Sequence, residues 1–187
     1  MPELPEVETI VRELRQALVG KTLKRVFIFD EKLTKPKVAL PLEVQSIERF
    51  GKYILCNMNK GISCLMHLRM TGELLFDRSR TKHAPQKHER AVFFFSGGRL
   101  RFIDIRRFGT IDWFVGNREF PRLGPEPLSD GFSVKVLSQI IRHSSRAIKS
   151  LLLDQKIIAG IGNIYADEAL WTAKIHPLKK SNKLTSP

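Results

Sequence analysis

The chain has 187 residues, 42% of them hydrophobic, enough for one domain or two small ones with a buried core and too apolar for a disordered chain. Lys and Arg number 32 against 19 acids, a formal charge of +13 spread along the chain; this points to a polyanionic partner, nucleic acid ahead of a membrane surface, with a ribosomal protein or a merely solvated basic surface as the alternatives. Two cysteines, Cys56 and Cys64, and no CxxC pair exclude a disulfide framework and a four-cysteine zinc site, and with no basic leader and no apolar run near the ~20 residues of a bilayer span the expectation is a soluble, cytoplasmic protein.

From Pro5 the apolar residues Val7, Ile10, Val11, Leu14 and Leu18 recur at three- and four-residue steps, one face of an amphipathic helix. Pro5 suits a first helical turn, where its missing N–H has no partner to lose, and Glu6 and Glu8 complement the positive end of the helix dipole. Gly20 is expected to stop the helix. Eight short strands are then predicted at Thr22–Phe29, Val44–Arg49, Tyr53–Met58, Ile62–Met66, Glu73–Phe76, Ala91–Phe95, Leu100–Ile105 and Thr110–Phe114, with turns such as Asn59-Lys60-Gly61 and Ser96-Gly97-Gly98 between them. Many short strands with turn signals imply a β-sandwich or partly closed barrel. Cys56 and Cys64 fall inside buried-looking strands, as core residues; Cys64 with His67 as a metal pair is the weaker reading.

The stretch PRLGPEPLSDG, residues 121–131, is rich in turn formers and reads as a linker. It separates an N-terminal domain, 1–120, from an all-α domain, 132–187. There Val134, Leu137, Ile140 and Ile141 form one stripe, Ile148, Leu151 and Leu152 another, and Ile164 to Ile175 a third. Gly160, Gly162 and Asn163 precede the third helix in a loop that is either an ordinary helix–helix turn or a place where free backbone N–H groups meet an anion.

Five stretches carry a resemblance, in order along the chain: MPELPEVETIVREL at the start, GKY at Gly51–Tyr53, HLRMTG at His67–Gly72, DIRRFG at Asp104–Gly109 and LLLDQKIIAGIGNIYADEAL at Leu151–Leu170. Together they resemble the bacterial formamidopyrimidine-DNA glycosylases. The related endonuclease VIII group generally opens PEGPE, so Leu4 favours the purine-repairing branch. The resemblance implies an α+β fold: an N-terminal β-sandwich with a nucleophile-bearing helix, then a helix-two-turn-helix DNA-binding domain. In that family the second domain continues through another helix into a four-cysteine zinc finger. Neither is present here, and the chain closes on Leu184-Thr185-Ser186-Pro187, a helix-start pattern, so the expectation is a truncated protein with an incomplete helical domain and no metal or cofactor of its own. The apolar faces of Ile164, Leu170 and Ile175 are then expected to lack part of their packing partner.

The resemblance also implies roles. Removal of Met1 would leave Pro2 with a secondary amine titrating near pH ~8, able to attack the anomeric carbon of a damaged nucleotide. Glu3 matches the general acid/base. Glu6 matches a further acid, although its place in the first helical turn is reason enough for it. Lys52 matches a lysine used beside the lesion phosphate and in proton transfer. Met70, Arg106 and Phe108 match the side chains that enter the space left by an extruded nucleotide, thioether and ring replacing stacking and guanidinium bonding the orphaned base. Met70 and Phe108 taken singly would more often be core residues. His88, Lys149 and Asn163 match phosphate grips, and His67 is placed with the DNA-binding residues. A basic residue often found just before Lys149 is Ser144 or Ser145 here, with Arg146 as a substitute.

The expected function is therefore a bifunctional glycosylase and abasic-site lyase of base excision repair, removing 8-oxoguanine and formamidopyrimidines through a proline Schiff base and β,δ-elimination. The expected partner is double-stranded DNA with an oxidised base, bound by a monomer that dimerises, if at all, through exposed helical surface. The alternatives are a catalytically silent DNA-binding fragment and an enzyme of oxidised pyrimidines.

Overall fold

The computed structural model describes residues 1–78, 84–116 and 122–184. The chain divides into two units, Met1–Glu119 and Phe120–Pro187.

The first unit opens with helix α1, Leu4–Leu18, which buries Leu4, Val7, Val11, Leu14 and Leu18 on one face. A 15-residue helix is marginal by itself in water; each of these buried side chains contributes about 2 kcal/mol, so packing holds it. Two polar ties fix its rotation on the sheet: Arg15 donates to the Ile47 carbonyl at 2.9 and 3.1 Å, and Arg49 pairs with Glu8 at 2.7 Å. The helix ends at Leu18, and Gly20 follows in the left-handed region at φ 74°, which a residue with a Cβ enters only at a cost.

Strands β1 (Thr22–Ile28), β2 (Leu42–Phe50), β3 (Tyr53–Met58), β4 (Ile62–His67), β5 (Gly72–Asp77), β6 (Glu89–Phe95), β7 (Gly98–Asp104) and β8 (Thr110–Val115) correspond one for one to the eight predicted runs. They lie in the order β5-β7-β6-β1-β2-β3-β4-β8, every neighbouring pair antiparallel. Between β1 and β2 the pairing holds only at Thr22–Glu43 and Leu23–Leu42. That short seam divides the sheet into two four-stranded layers. Side chains of both layers and of α1 share one core, and Phe93 of β6 meets Trp113 of β8 across it, ring centroids 6.2 Å apart. Cys56 and Cys64 are unpaired and buried in this core; burial pushes the Cys56 thiol up to about 12 and that of Cys64 well above its ordinary value, so both are unreactive as nucleophiles.

The second unit contains α2 (Val134–Arg142), α3 (Ile148–Leu152) and α4 (Asn163–Thr172) around Ile148, Leu151, Leu152, Ile158, Ala166 and Leu170. Ser133 caps α2 by accepting from the Val136 N–H. The stretch read as a linker hydrogen-bonds into this unit: Gly124 N–H to the Gln155 carbonyl at 2.9 Å and Ala159 N–H to the Pro125 carbonyl at 3.1 Å. Position 124 admits only glycine, because a Cβ there would lie 2.2 Å from the Ile157 carbonyl oxygen.

Helix α4 stops at Thr172, short of the predicted Ile175. Lys174 turns into the left-handed region at φ 55° and Ile175 N–H returns to the Leu170 carbonyl, a reversal usually signalled by glycine or asparagine and here carried by lysine. Of the three apolar residues expected to lack a partner, Leu170 is buried and Ile175 half-buried against the cluster; only Ile164 is exposed. The helix-start pattern at Thr185–Pro187 lies outside the described residues. Among the described residues, no helix is long and apolar enough to cross a membrane.

Candidate active site and nucleic-acid interface

Glu3 is the N-cap of α1. Its carboxylate accepts from the Glu6 N–H while the Glu6 carboxylate accepts from the Glu3 N–H at 2.9 Å, a reciprocal cap. This fixes the first turn and holds Glu3, only 1% exposed, against the residue that precedes it, Pro2. Glu6 is exposed, and the cap is its visible work. In the full 187-residue chain the Pro2 nitrogen is acylated by Met1 and carries no nucleophilic lone pair.

Lys52 stands in the turn between β2 and β3, where a lysine is ordinarily solvated, yet it is 7% exposed. Burial pulls its pKa down, and the charge of Glu3 partly offsets that. The two buried, oppositely charged side chains therefore feel one another at the start of α1. His67, at the end of β4, is also 7% exposed, and burial, with the charges of Arg69 and Lys52, takes its pKa down to about 4. Its Nδ1 accepts from the Arg69 N–H at 3.0 Å, so the neutral ring carries its proton on Nε2. Tyr53 stands edge-on to it, centroids 4.5 Å apart. Charge interactions thus link Lys52 both to Glu3 and to His67.

A second group lies just beyond His67. Met70, Arg106 and Phe108 are all exposed, Met70 by 46% and Phe108 by 48%, so the core reading fails for both apolar residues. They touch in series: Arg106 Nη1 lies 3.2 Å from the Met70 Sδ and the guanidinium stacks over the Phe108 ring, 4.8 Å from its centroid. An exposed thioether, guanidinium and ring in contact form a small wedge.

The wedge rests on a buried carboxylate. Asp104, 1% exposed, accepts from the N–H groups of Arg106 at 3.2 Å and Gly109 at 2.8 Å, and from the Thr71 hydroxyl. Burial alone would raise its pKa, but these bonds and one from the Phe108 N–H outweigh burial and hold it below the usual range. Thr71 also accepts from the Arg106 N–H, joining the Met70 turn to the Arg106 loop. Gly109 is obligatory, since a Cβ would meet the Phe102 ring at 2.4 Å. His88, half-buried with φ 67°, accepts from the Asp104 N–H through its carbonyl at 3.0 Å.

In the second unit Gly162 is the N-cap of α4 and Asn163 its first residue, exposed. Lys149 on α3 reaches Asp167 on α4, its ammonium 2.7 and 2.9 Å from the two carboxylate oxygens. Arg146, the proposed substitute grip, is held internally by Asp154 at 2.8 Å and the Ser150 carbonyl at 3.0 Å.

Sequence reasoning did not single out Asp30, Tyr53, Thr71, Asp104 or Asp167. Tyr53, Thr71, Asp104 and Asp167 lie within the five matched stretches, a signal that gave them no role, and Asp30 lies outside them. The partners of Asp30 and Asp167 are remote in sequence.

Two family descriptions match: the formamidopyrimidine-DNA glycosylase N-terminal domain over residues 1–111 and the formamidopyrimidine-DNA glycosylase H2TH domain over residues 123–187. Formamidopyrimidine-DNA glycosylase of Desulforamulus reducens is 43% identical over 100% of this chain and 72% of its own length, and that of Herpetosiphon aurantiacus is 40% identical over the same shares. Among solved structures, the Lactococcus lactis Fpg bound to abasic-site DNA superposes with a TM-score of 0.88 at 34% identity, covering 98% of this chain and 71% of that one. MutM in complex with carbocyclic 8-oxo-G DNA gives 0.88 at 35% identity, covering 99% and 73%. With both domain families matched in order over nearly the whole chain, this protein belongs to the formamidopyrimidine-DNA glycosylase family, the DNA glycosylases of base excision repair.

Proposed function

We propose that this protein excises oxidised purines from duplex DNA and cleaves the strand, with Pro2 as nucleophile once Met1 is removed. The observation that carries the reading is the buried pair Glu3–Lys52 at the residue following Pro2. A carboxylate adjacent in the chain to the amine, and a lysine that feels its charge, both shielded from water, supply what Schiff-base chemistry needs.

The Pro2 nitrogen attacks the anomeric carbon, the bond to the base breaks, and the base leaves protonated. The proton shed by the Pro2 nitrogen passes to the Glu3 carboxylate, which delivers it to the ring oxygen as the sugar opens to an iminium. Loss of a proton from the adjacent carbon then expels the 3′ phosphate, and a second elimination expels the 5′ phosphate, leaving a one-nucleotide gap. Lys52 holds the lesion phosphate and relays protons. Met70, Arg106 and Phe108 fill the vacated stack, and His67, with an Nε2–H donor, joins His88, Lys149 and Asn163 on phosphates. The partner is damaged duplex DNA. The chain works on it as a monomer in the cytoplasm, self-association being confined to the exposed helical surface of α4, where Trp171 is 83% exposed.

The test compares duplexes bearing 8-oxoguanine, a formamidopyrimidine or an oxidised pyrimidine, with strand scission scored without alkali. Release of the purine lesions with a phosphate on both sides of the gap is the expected result. Preference for the pyrimidine would favour the second reading, for which there is one specific observation: a similar Lactococcus lactis Fpg structure, 34% identical, contains oxidised-pyrimidine DNA.

A further inference from the structure

We propose that Asp30 is a positioning residue for nucleotide extrusion, fixing Arg106 and Phe108 through a bidentate ion pair with the arginine between them, Arg107; this rests on the wedge reading above. Asp30 follows β1, 77 positions from Arg107, and is 4% exposed. Its Oδ2 accepts from Arg107 Nε at 2.8 Å and its Oδ1 from Arg107 Nη2 at 2.7 Å, the fork geometry that only arginine offers a carboxylate. Oδ1 also accepts from the Lys32 N–H at 3.1 Å, and Arg90 stands 3.9 Å from Oδ2. The acid is thus fixed from its own side before Arg107 arrives. The exposed Glu31, 3.8 Å from the same guanidinium, is a poor substitute.

Arg107 needs that anchor. Its backbone lies at φ 56°, a left-handed conformation unfavourable for a residue with a Cβ, with the wedge side chains immediately before and after it. Asp104 holds the backbone amides of the loop from beneath, while Asp30 holds the side chain of its central residue. Without the fork, a relaxed Arg107 would swing both neighbours and break the stack of Arg106 on Phe108. A wedge that must be ordered as it inserts is slower than one already assembled. The low pKa of Asp30, brought to about 2 by the Arg107 hydrogen bonds against its burial, keeps the anchor charged at any working pH.

The test uses the full chain with Asp30→Asn, Arg107→Met and the double variant. Asparagine keeps the shape and the bond to Lys32 and loses the charge. Single-turnover excision is measured on a fully paired lesion duplex and on the same lesion in single-stranded DNA, which needs no wedge. Each single variant is expected to slow duplex excision about tenfold or more, to leave the single-strand rate within about twofold, and the double variant to be no worse than the singles, because both remove one interaction. A 2-aminopurine beside the lesion should also unstack more slowly on binding. Equal slowing on both substrates, multiplied losses in the double variant or an unchanged duplex rate would each overturn the proposal. If the unsubstituted chain excises neither substrate, the glycosylase reading fails, and the 2-aminopurine signal still decides the role of Asp30.

Discussion

Lys149 spends the unbound state clasped by Asp167, its ammonium within 2.9 Å of both carboxylate oxygens. A phosphate arriving at the α4 N-terminus must displace that carboxylate. The pair is partly exposed, so its own contribution to stability is small, ~0–1 kcal/mol. Asp167→Asn is therefore expected to tighten binding to any duplex a few-fold with little change in melting temperature. Lys149→Ala is expected to weaken binding and to flatten the log–log salt dependence by about one unit. Titration by fluorescence anisotropy at several salt concentrations decides it; weaker binding by Asp167→Asn would mean that the pair orders the grip.

Alanine at Met70, Arg106 or Phe108 is expected to slow processing of a paired lesion more than cleavage at a preformed abasic site, which already lacks a stacked base. Arg106→Ala removes the contact to both partners and should have the largest effect, about ten- to a hundredfold on the paired lesion. Equal losses on both substrates would mark these side chains as structural.

Much of this was legible in the sequence, and the parts that were not share a cause. Apolar runs bounded by turn residues located all eight strands, even β4, which is buried at every position, because the core is built from their apolar side chains. Periodicity located α1 for the same reason. The end of α4 was misplaced since Lys174 makes the reversal that glycine usually announces. The motif residues were named by resemblance, but the burial of Lys52, the tautomer of His67 and the capture of Lys149 by Asp167 depend on contacts made after folding. Asp30 is the extreme case: nothing near it in the chain indicates that it holds a loop 77 residues away.

The charge of Glu3 should hold up the pKa of Lys52. Burial lowers the Lys52 pKa and Glu3 offsets part of that, so Glu3→Gln is expected to lower it further, exposing Lys52 to amine-directed labelling at lower pH. Mass spectrometry of the labelled lysine across pH reads this directly. An upward shift, or none, would show that Lys52 does not feel the charge of Glu3. The same variant should lose base excision while keeping nearly full DNA affinity.

His67 sets an acid limit to stability. Its folded pKa, about 4, lies below the ordinary 6.5, so the unfolded chain takes up a proton first as pH falls. Stability from this residue is complete above pH 6.5 and declines by roughly 3 kcal/mol on the way to pH 4. Asp30, with its pKa lowered to about 2, acts in a separate window, losing its contribution only as pH falls from near 4 toward 2. Urea unfolding at pH 7, 5.5 and 4 should show the decline in the natural chain and a flatter profile in His67→Gln; an identical slope in the two would remove His67 from the account.

Covalent trapping identifies the nucleophile. The protein is incubated with 8-oxoguanine duplex in borohydride, the covalent complex is digested, and the modified residue is located by mass spectrometry. Met1 is expected to be absent and the reduced sugar to be carried on the Pro2 nitrogen, with trapping lost in a chain extended by one residue ahead of Pro2. A sugar adduct on Lys52 or another lysine, or excision by protein that retains Met1, would contradict Pro2 as the nucleophile.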